Sequence, residues 1–401
     1  VWCLIAAYLG PGWRHLARLS LVSRYLHGVV WGQATAIDLS ALSSSIASWW
    51  RSYLAQRRHR LPPDHAQPRE EQEAESRDPL EHILRFVRHH SPELRWLSLP
   101  GSFALHHAPL LVADLRHLAL HAVTDAESTV AATVARLPYL TSLRLSGMGV
   151  TDALLNELPG SLTSLWVESP CPDPTAFRGT FQRLPPSLTT LRLHLCHTLV
   201  IPRFDLLSPN LRTLDLTGSR RITGRMLDKL PRMLLVLKLR DCRSIMQAEL
   251  APALTRLNLL QELDLRGAMA FLPASLRVLR LSGPLTDGIM PLLPRQLEAL
   301  TLFNMPLISD DALSCFLAEV AARLTSLTLA FCPKLTDAGL KPLPHNLVAL
   351  KIKGGGRKCR ITEAAFQCLP ATLRRLHVAS APFVHVPSLS LPPSLYFVHR
   401  P

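Results

Sequence analysis

The sequence predicts an α/β solenoid: a right-handed horseshoe coil with parallel β-strands on its concave face and helices on its convex face, preceded by a small α-helical domain. Three observations predict it. The spacing L-x-x-L-x-L recurs with openings at Leu94, Leu115, Leu140, Leu162, Leu188, Leu211, Leu234, Leu260, Leu276, Leu297, Leu324, Leu347, Leu373 and Leu395, fourteen starts in all. Their mean separation is about 23 residues, the length of one strand, turn and helix. A helix-start signal follows many strands: Val150-Thr151-Asp152, Ile222-Thr223-Gly224, Leu285-Thr286-Asp287, Ile308-Ser309-Asp310, Leu335-Thr336-Asp337 and Ile361-Thr362-Glu363. A proline stands three residues before the next opening at Pro159, Pro185, Pro231, Pro273, Pro294, Pro344 and Pro370.

Each signal has a physical reason. In residues 324–347, Leu327 and Leu329 alternate with polar neighbours, as a short strand with one buried face requires. The Thr336 hydroxyl is placed to cap free N–H groups at a helix start, and Asp337 favours the positive end of the helix dipole. Pro344 cannot continue a helix interior, so the chain turns back into the next strand. One coil is irregular. Leu260 to Leu276 spans only 16 residues, which leaves room for a tight crossing without a full helix.

Taken from the amino terminus, residues 1–31 carry two helical patterns, Leu4, Ile5, Tyr8, Leu9 and then Leu16, Leu19, Val22, Leu26, broken at Gly10-Pro11-Gly12. A helix over 41–54 would pack through Trp49 and Trp50. Residues 55–79 are nearly free of apolar side chains and rich in proline and both charge signs, a composition that cannot bury enough surface to order itself. Order resumes with Leu80, Ile83, Leu84 and Val87 on one helical face. The expected domains are 1–54, helical with a first strand; 55–79, a linker or insertion; and 80–401, the repeats.

Two resemblances attach to these residues. Ile5-Ala6-Ala7-Tyr8-Leu9, Pro11, Leu16-Ala17-Arg18-Leu19-Ser20-Leu21-Val22-Ser23-Arg24, Val30-Trp31 and Ile37-Asp38-Leu39-Ser40 resemble the F-box, with Leu26 where a Trp is common. The L-P-x-E that usually opens that motif is absent because the chain starts at Val1. Residues 94–401 resemble the cysteine-containing class of leucine-rich repeats, the class that most often follows an F-box. Together they imply a non-catalytic substrate receptor of a Skp-cullin-F-box (SCF-type) ubiquitin ligase. By that resemblance Leu4, Ile5, Leu9, Pro11, Leu16, Leu19, Val22 and Trp31 would contact a Skp-type adaptor on a cullin scaffold.

Composition narrows the classes. The chain is 48% hydrophobic and 18% charged over 401 residues, ample for a folded core. Its longest apolar run, from Val1 to Leu9, is too short to span a bilayer, so a soluble protein of the cytoplasm or nucleus is expected. Cys196, Cys242 and Cys332 each stand three residues after the last strand leucine of a coil, so they are expected to pack as thiols and share no metal ion. His194 and His197 beside Cys196 lack a fourth ligand for zinc. The run Lys353-Gly354-Gly355-Gly356-Arg357-Lys358 lacks the ending of a phosphate-binding loop and is expected to be a turn. No nucleophile-and-base pattern stands out, and no cofactor or metal is expected.

The concave face carries the functional expectation. The residue between the last two strand leucines points away from the core, giving a column Arg144, Trp166, Arg192, Asp215, Lys238, Asp264, Arg280, Thr301, Thr328, Lys351 and His377. One position outward stand His194, Arg240, Arg266 and Lys353. The expected substrate-binding residues are Arg144, Trp166, Arg192, Lys238, Arg240, Arg266, Arg280 and Lys351, facing an acidic or phosphorylated protein segment. The net charge of +14 agrees with acidic partners. The alternative is a leucine-rich-repeat scaffold that binds protein or RNA partners with no ubiquitin-ligase role. Few aromatics, chiefly Trp166 and Phe303, line the face for stacking on bases. The coil 324–347 presents Thr325, Ser326 and Thr328, an uncharged part of that face.

Overall fold

A computed structural model describes residues 36–38, 88, 93–100, 111, 114–121, 127–147, 150–168, 184–196, 204–245, 247–267, 271–320, 322–354, 360–379 and 397–399. The chain divides into two units, Val1–Leu188 and Thr189–Pro401. The first holds β1 (Ala36–Asp38), β2 (Trp96–Pro100), β3 (His117–His121), β4 (Ser142–Ser146) and β5 (Ser164–Glu168), parallel and adjacent in chain order. Its helices are α1 (Glu127–Ala135) and α2 (Asp152–Asn156). The second unit holds β6 (Thr190–His194), β7 (Thr213–Asp215), β8 (Val236–Lys238), β9 (Glu262–Arg266) and β10 (Val278–Ser282). It continues with β11 (Ala299–Phe303), β12 (Ser326–Ala330), β13 (Ala349–Lys353), β14 (Arg375–Ala379) and β15 (Phe397–His399). These too pair in parallel, each with its chain neighbours. Helices α3 (Gln247–Arg256) and α4 (Asp310–Glu319) belong to it. Each unit is a leucine-rich-repeat solenoid.

All fourteen predicted coils carry a strand, but each strand begins two residues after its opening leucine. The reason is a turn. The N–H of Leu162 donates to the Pro159 carbonyl at 3.0 Å, and Leu347 and Leu373 do the same to Pro344 and Pro370. The next two N–H groups then share one carbonyl of the preceding coil: Thr325 and Ser326 donate to Glu298, and Val348 and Ala349 to Thr325. The opening leucine is therefore a core residue of the corner. Leu324 and Leu327 have no exposed surface and Leu329 has 2%. Each such leucine contributes roughly 1.5–3 kcal/mol by leaving water.

The predicted start signals all open a helical segment, of two kinds. Thr151 and Ser309 precede α2 and α4, whereas Gly224–Lys229, Asp287–Leu292, Asp337–Leu340 and Glu363–Cys368 are 3-10 segments. Length sets only α4 apart, since its cap Ser309 stands 15 residues before Leu324, whereas Thr151 of α2 and the caps of all four 3-10 segments stand eight residues before their stop prolines. In the 16-residue coil the described crossing residues 271–277 hold no helix, as expected.

The helix-start signal does more than cap. Ser309, Thr336 and Thr362 each donate a backbone N–H and a hydroxyl to one carboxylate of the preceding coil: Asp287, Asp310 and Asp337 respectively. The same hydroxyl accepts from its own helix start, at Ala312, Ala338 and Ala364. The aspartate predicted to serve the helix dipole thus clasps the next coil. A Cβ on Gly339 would come within 2.5 Å of Asp310 Oδ1, so the clasp has room only for glycine there.

The cysteines are framework as well. Cys196, Cys242 and Cys332 are buried. The Cys242 thiol donates to the Leu216 carbonyl of the preceding coil at 3.1 Å, and Ser219 takes the equivalent place toward Leu193. Burial pushes the Cys242 thiol up to about 12, which keeps it a donor. Two residues after the last strand leucine, a left-handed residue recurs: Gly147, Leu195, Gly218, Asp241, Gly267, Gly283, Asn304 and Phe331 all have positive φ. The predicted amino-terminal helices, the linker 55–79, the helix opening at Leu80 and His197 lie outside the described residues, as do all eight predicted adaptor contacts. Among the described residues no helix is long and apolar enough to cross a membrane.

Candidate interaction face

The strand register aligns the predicted column within each unit. In the first, Arg144 pairs with Trp166 across β4 and β5. The Arg144 guanidinium lies 3.6 Å from the Trp166 ring centroid and its Nη2 lies 3.4 Å from Glu168 Oε2. A cation stacked on a ring and tethered to a carboxylate is held in one orientation, with both side chains half-buried.

In the second unit Arg192, Asp215, Lys238, Asp264, Arg280, Thr301, Thr328, Lys351 and His377 stand in one row across β6 to β14. Between β7 and β10 the row is an interlocked lattice of both signs. Asp215 is 4% exposed and accepts from the Thr217 N–H and hydroxyl, with His194 Nε2 at 2.9 Å from its other oxygen. Burial opposes its charge, but the hydrogen bonds from His194 and Thr217 outweigh it and hold the carboxyl below its ordinary value. Asp264 is equally buried and accepts from Arg240 Nη2 at 2.7 Å. Here burial wins over Arg240, and the carboxyl is raised. Glu262 is bridged from both sides, by Lys238 Nζ at 3.4 Å and by Arg280 Nη1.

The consequence is a redistribution of charge. Of the predicted substrate contacts, Arg144, Lys238, Arg240 and Arg280 already face a carboxylate, while Arg266 and Lys351 stand exposed. Arg192 lies half-buried on β6. Such lateral pairs contribute little to stability, about 0–1 kcal/mol each. They do matter to a ligand, whose anion must displace a carboxylate already in place. Glu168 and Glu262 were not among the predicted contacts; their signal was an acid at an end position of a strand whose centre is occupied by a charge or an aromatic.

From β11 to β14 the face changes. The central row reads Thr301, Thr328, Lys351, His377, and the exit row reads Phe303, Ala330, Lys353, Ala379. Phe303 is 46% exposed. Its ring meets the Phe331 ring edge-on, with centroids 5.3 Å apart at 83°. Lys353 Nζ stands 5.3 Å from the Phe331 centroid. Phe331 was missed in the sequence because it follows the strand, at the left-handed position where glycine recurs. Among the described residues no group of three or more His, Cys, Asp or Glu is placed to hold a metal ion.

No family model matches the chain, and no curated protein matches it. Solved structures do. An internalin, inlF, from Listeria monocytogenes is 18% identical over 72% of this chain and 81% of its own, with a TM-score of 0.41. The complex of Rad7 and Elc1 in yeast matches at 16% identity over 85% of each chain, TM-score 0.41. The leucine-rich-repeat-containing protein LegL7 from Legionella pneumophila is 18% identical over 68% of this chain and 86% of its own, TM-score 0.35.

Proposed function

We propose that this chain is the substrate-recognition subunit of a Skp-cullin-F-box ubiquitin ligase, with its amino-terminal residues on a Skp-type adaptor and a protein substrate on its strand face. The observation that carries the reading is the place of β1. The F-box pattern passes at Ile37-Asp38 into a first leucine-rich strand, and these residues form β1, paired in register with β2 of the repeat ladder. Residues 39–95 thus connect two neighbouring strands, and the segment resembling an F-box runs in sequence into the first strand of the ladder.

Such a subunit performs no bond chemistry and needs no cofactor. It raises the effective concentration of substrate lysines near a ubiquitin-charged enzyme held elsewhere in the assembly. Its place would be the cytoplasm or nucleus. The test is a pull-down of adaptor by the full chain and by a form lacking residues 1–31. Retention by the first and loss by the second is expected; equal retention by both, or by neither, overturns the reading and leaves a scaffold without a ligase role. RNA is a poorer fit to the second unit, where Asp215, Glu262 and Asp264 stand among the cations. Phosphate binding would show as affinity that falls steeply with salt.

A further inference from the structure

We propose that the exit end of β11 to β13 is a docking corner for an acidic peptide segment that carries one aromatic or large aliphatic side chain. The proposal rests on reading the strand face as the partner-binding face, and it narrows where on that face a partner sits and what it must contain.

The first argument is charge. Of the chain's 44 lysines and arginines and 30 acids, residues 341–401 hold nine and one, and that one acid is Glu363 at the start of the Glu363–Cys368 segment. Among the described residues, neither Lys351 nor Lys353 has a carboxylate within salt-bridge distance, in contrast to Lys238, Arg240 and Arg280. Both lysines are exposed on one face of β13. An incoming carboxylate meets two ammonium groups with no internal anion to displace. Lysine presents a point charge rather than a planar fork, which suits single carboxylates.

The second argument is shape. Phe303, Ala330 and Lys353 stand side by side across three strands, and Ala330 is small and buried. Beside the small Ala330, the Phe331 ring stands between ring and ammonium, 5.3 Å from the Phe303 centroid and 5.3 Å from Lys353 Nζ, which makes one strip running from apolar to cationic. Putting a phenylalanine at φ 56 costs about 1–2 kcal/mol relative to glycine, and here its half-buried ring meets the exposed Phe303 ring edge-on. Two strand spacings separate Phe303 from Lys353, roughly 10 Å, and an extended peptide covers that in about three residues. The corner thus specifies a segment with its apolar side chain about three residues from an aspartate or glutamate.

The test is fluorescence anisotropy with the full chain and three labelled probes. One is a decapeptide with Phe three residues before a Glu-Asp pair, one the same peptide with Ser for that Phe, and one an oligouridylate of equal length. The Phe peptide is expected to bind more tightly than the other two. Lys351→Glu with Lys353→Glu should weaken it about tenfold or more, and Phe303→Ser about fivefold, without changing the Ser peptide. Arg295→Gln, at an exposed residue paired with Glu319 of α4 and outside the strand face, should leave it unchanged within about twofold. Urea midpoints check that the variants fold, with Lys351→Gln and Lys353→Gln as milder replacements. No binding by the unaltered chain up to about 1 mM, an equal loss with Arg295→Gln, no effect of Phe303→Ser, or tighter binding of the oligouridylate would each overturn the corner. Adaptor retention, read on the same preparation, separates this outcome from failure of the ligase reading.

Discussion

Replacing Thr336 by valine removes one oxygen and leaves the side chain's shape almost unchanged. The native backbone, φ −118° and ψ −174°, is extended and suits a β-branched residue, so strain adds nothing. Two interactions go. The hydroxyl accepts from Ala338 N–H at 3.2 Å, a cap worth about 1 kcal/mol, and it donates to Asp310 Oδ2 at 2.5 Å. A hydrogen bond to a buried charge is worth roughly 1.5–3 kcal/mol, but Thr336 and Asp310 are half-exposed and water can replace part of it. Asp310 also keeps the Thr336 N–H at 2.8 Å. The expected loss is about 2 kcal/mol, read as a lower urea midpoint with an unchanged slope. Thr336→Ser should stay within about 0.5 kcal/mol of the unaltered chain. A cycle with Asp310→Asn should show a coupling of at least about 0.5 kcal/mol. If valine is tolerated as well as serine, the clasp between coils carries no load and the aspartates serve only their own helices.

Two further outcomes concern buried groups. Because the Asp215 carboxyl is held below its ordinary value near 3.8, its contribution is present above that pH and lost as pH falls through the depressed value. Asp215→Asn should flatten the acid limb of the stability curve below about pH 4, whereas Asp264→Asn, removing a raised carboxyl whose protonation favours the folded state as pH falls toward that value, should steepen the limb above about pH 4; identical limbs for all three proteins would refute the assignment. Alkylation with iodoacetamide at pH 8, mapped by mass spectrometry, should mark the exposed Cys315 quickly and leave Cys242 protonated and unmodified in the native state; rapid labelling of Cys242 would contradict its burial.

The repeat was legible in the sequence because its determinants are local. A leucine at Leu327 and another at Leu329 fix a strand's buried face whatever lies beyond, and Thr336 with Asp337 marks a helix start from three residues. The kind of helix was not legible, since coils with the same eight residues from cap to stop proline hold α2 in one case and 3-10 segments in the other four. Charge pairing was less legible still. Glu262 meets Lys238 from the coil before and Arg280 from the coil after, and the short coil from Leu260 to Leu276 brings Arg280 to it across only 18 residues. Nothing in the order of residues states which charges will become neighbours. Phe331 left a readable trace, as the bulky exception at a position taken by glycine at Gly147, Gly218, Gly267 and Gly283.

That left-handed position has a wider meaning. It lies outside the leucine code, so the core does not dictate its side chain, yet in eight described coils it stands two residues after the last strand leucine, at the border of the face. A change there alters what the surface offers while the framework stands still, at a conformational cost of about 1–2 kcal/mol for any residue with a Cβ. Such a letter lets a repeat protein acquire new vocabulary without rewriting its grammar, and Leu195, Asp241, Asn304 and Phe331 show four different words already in place.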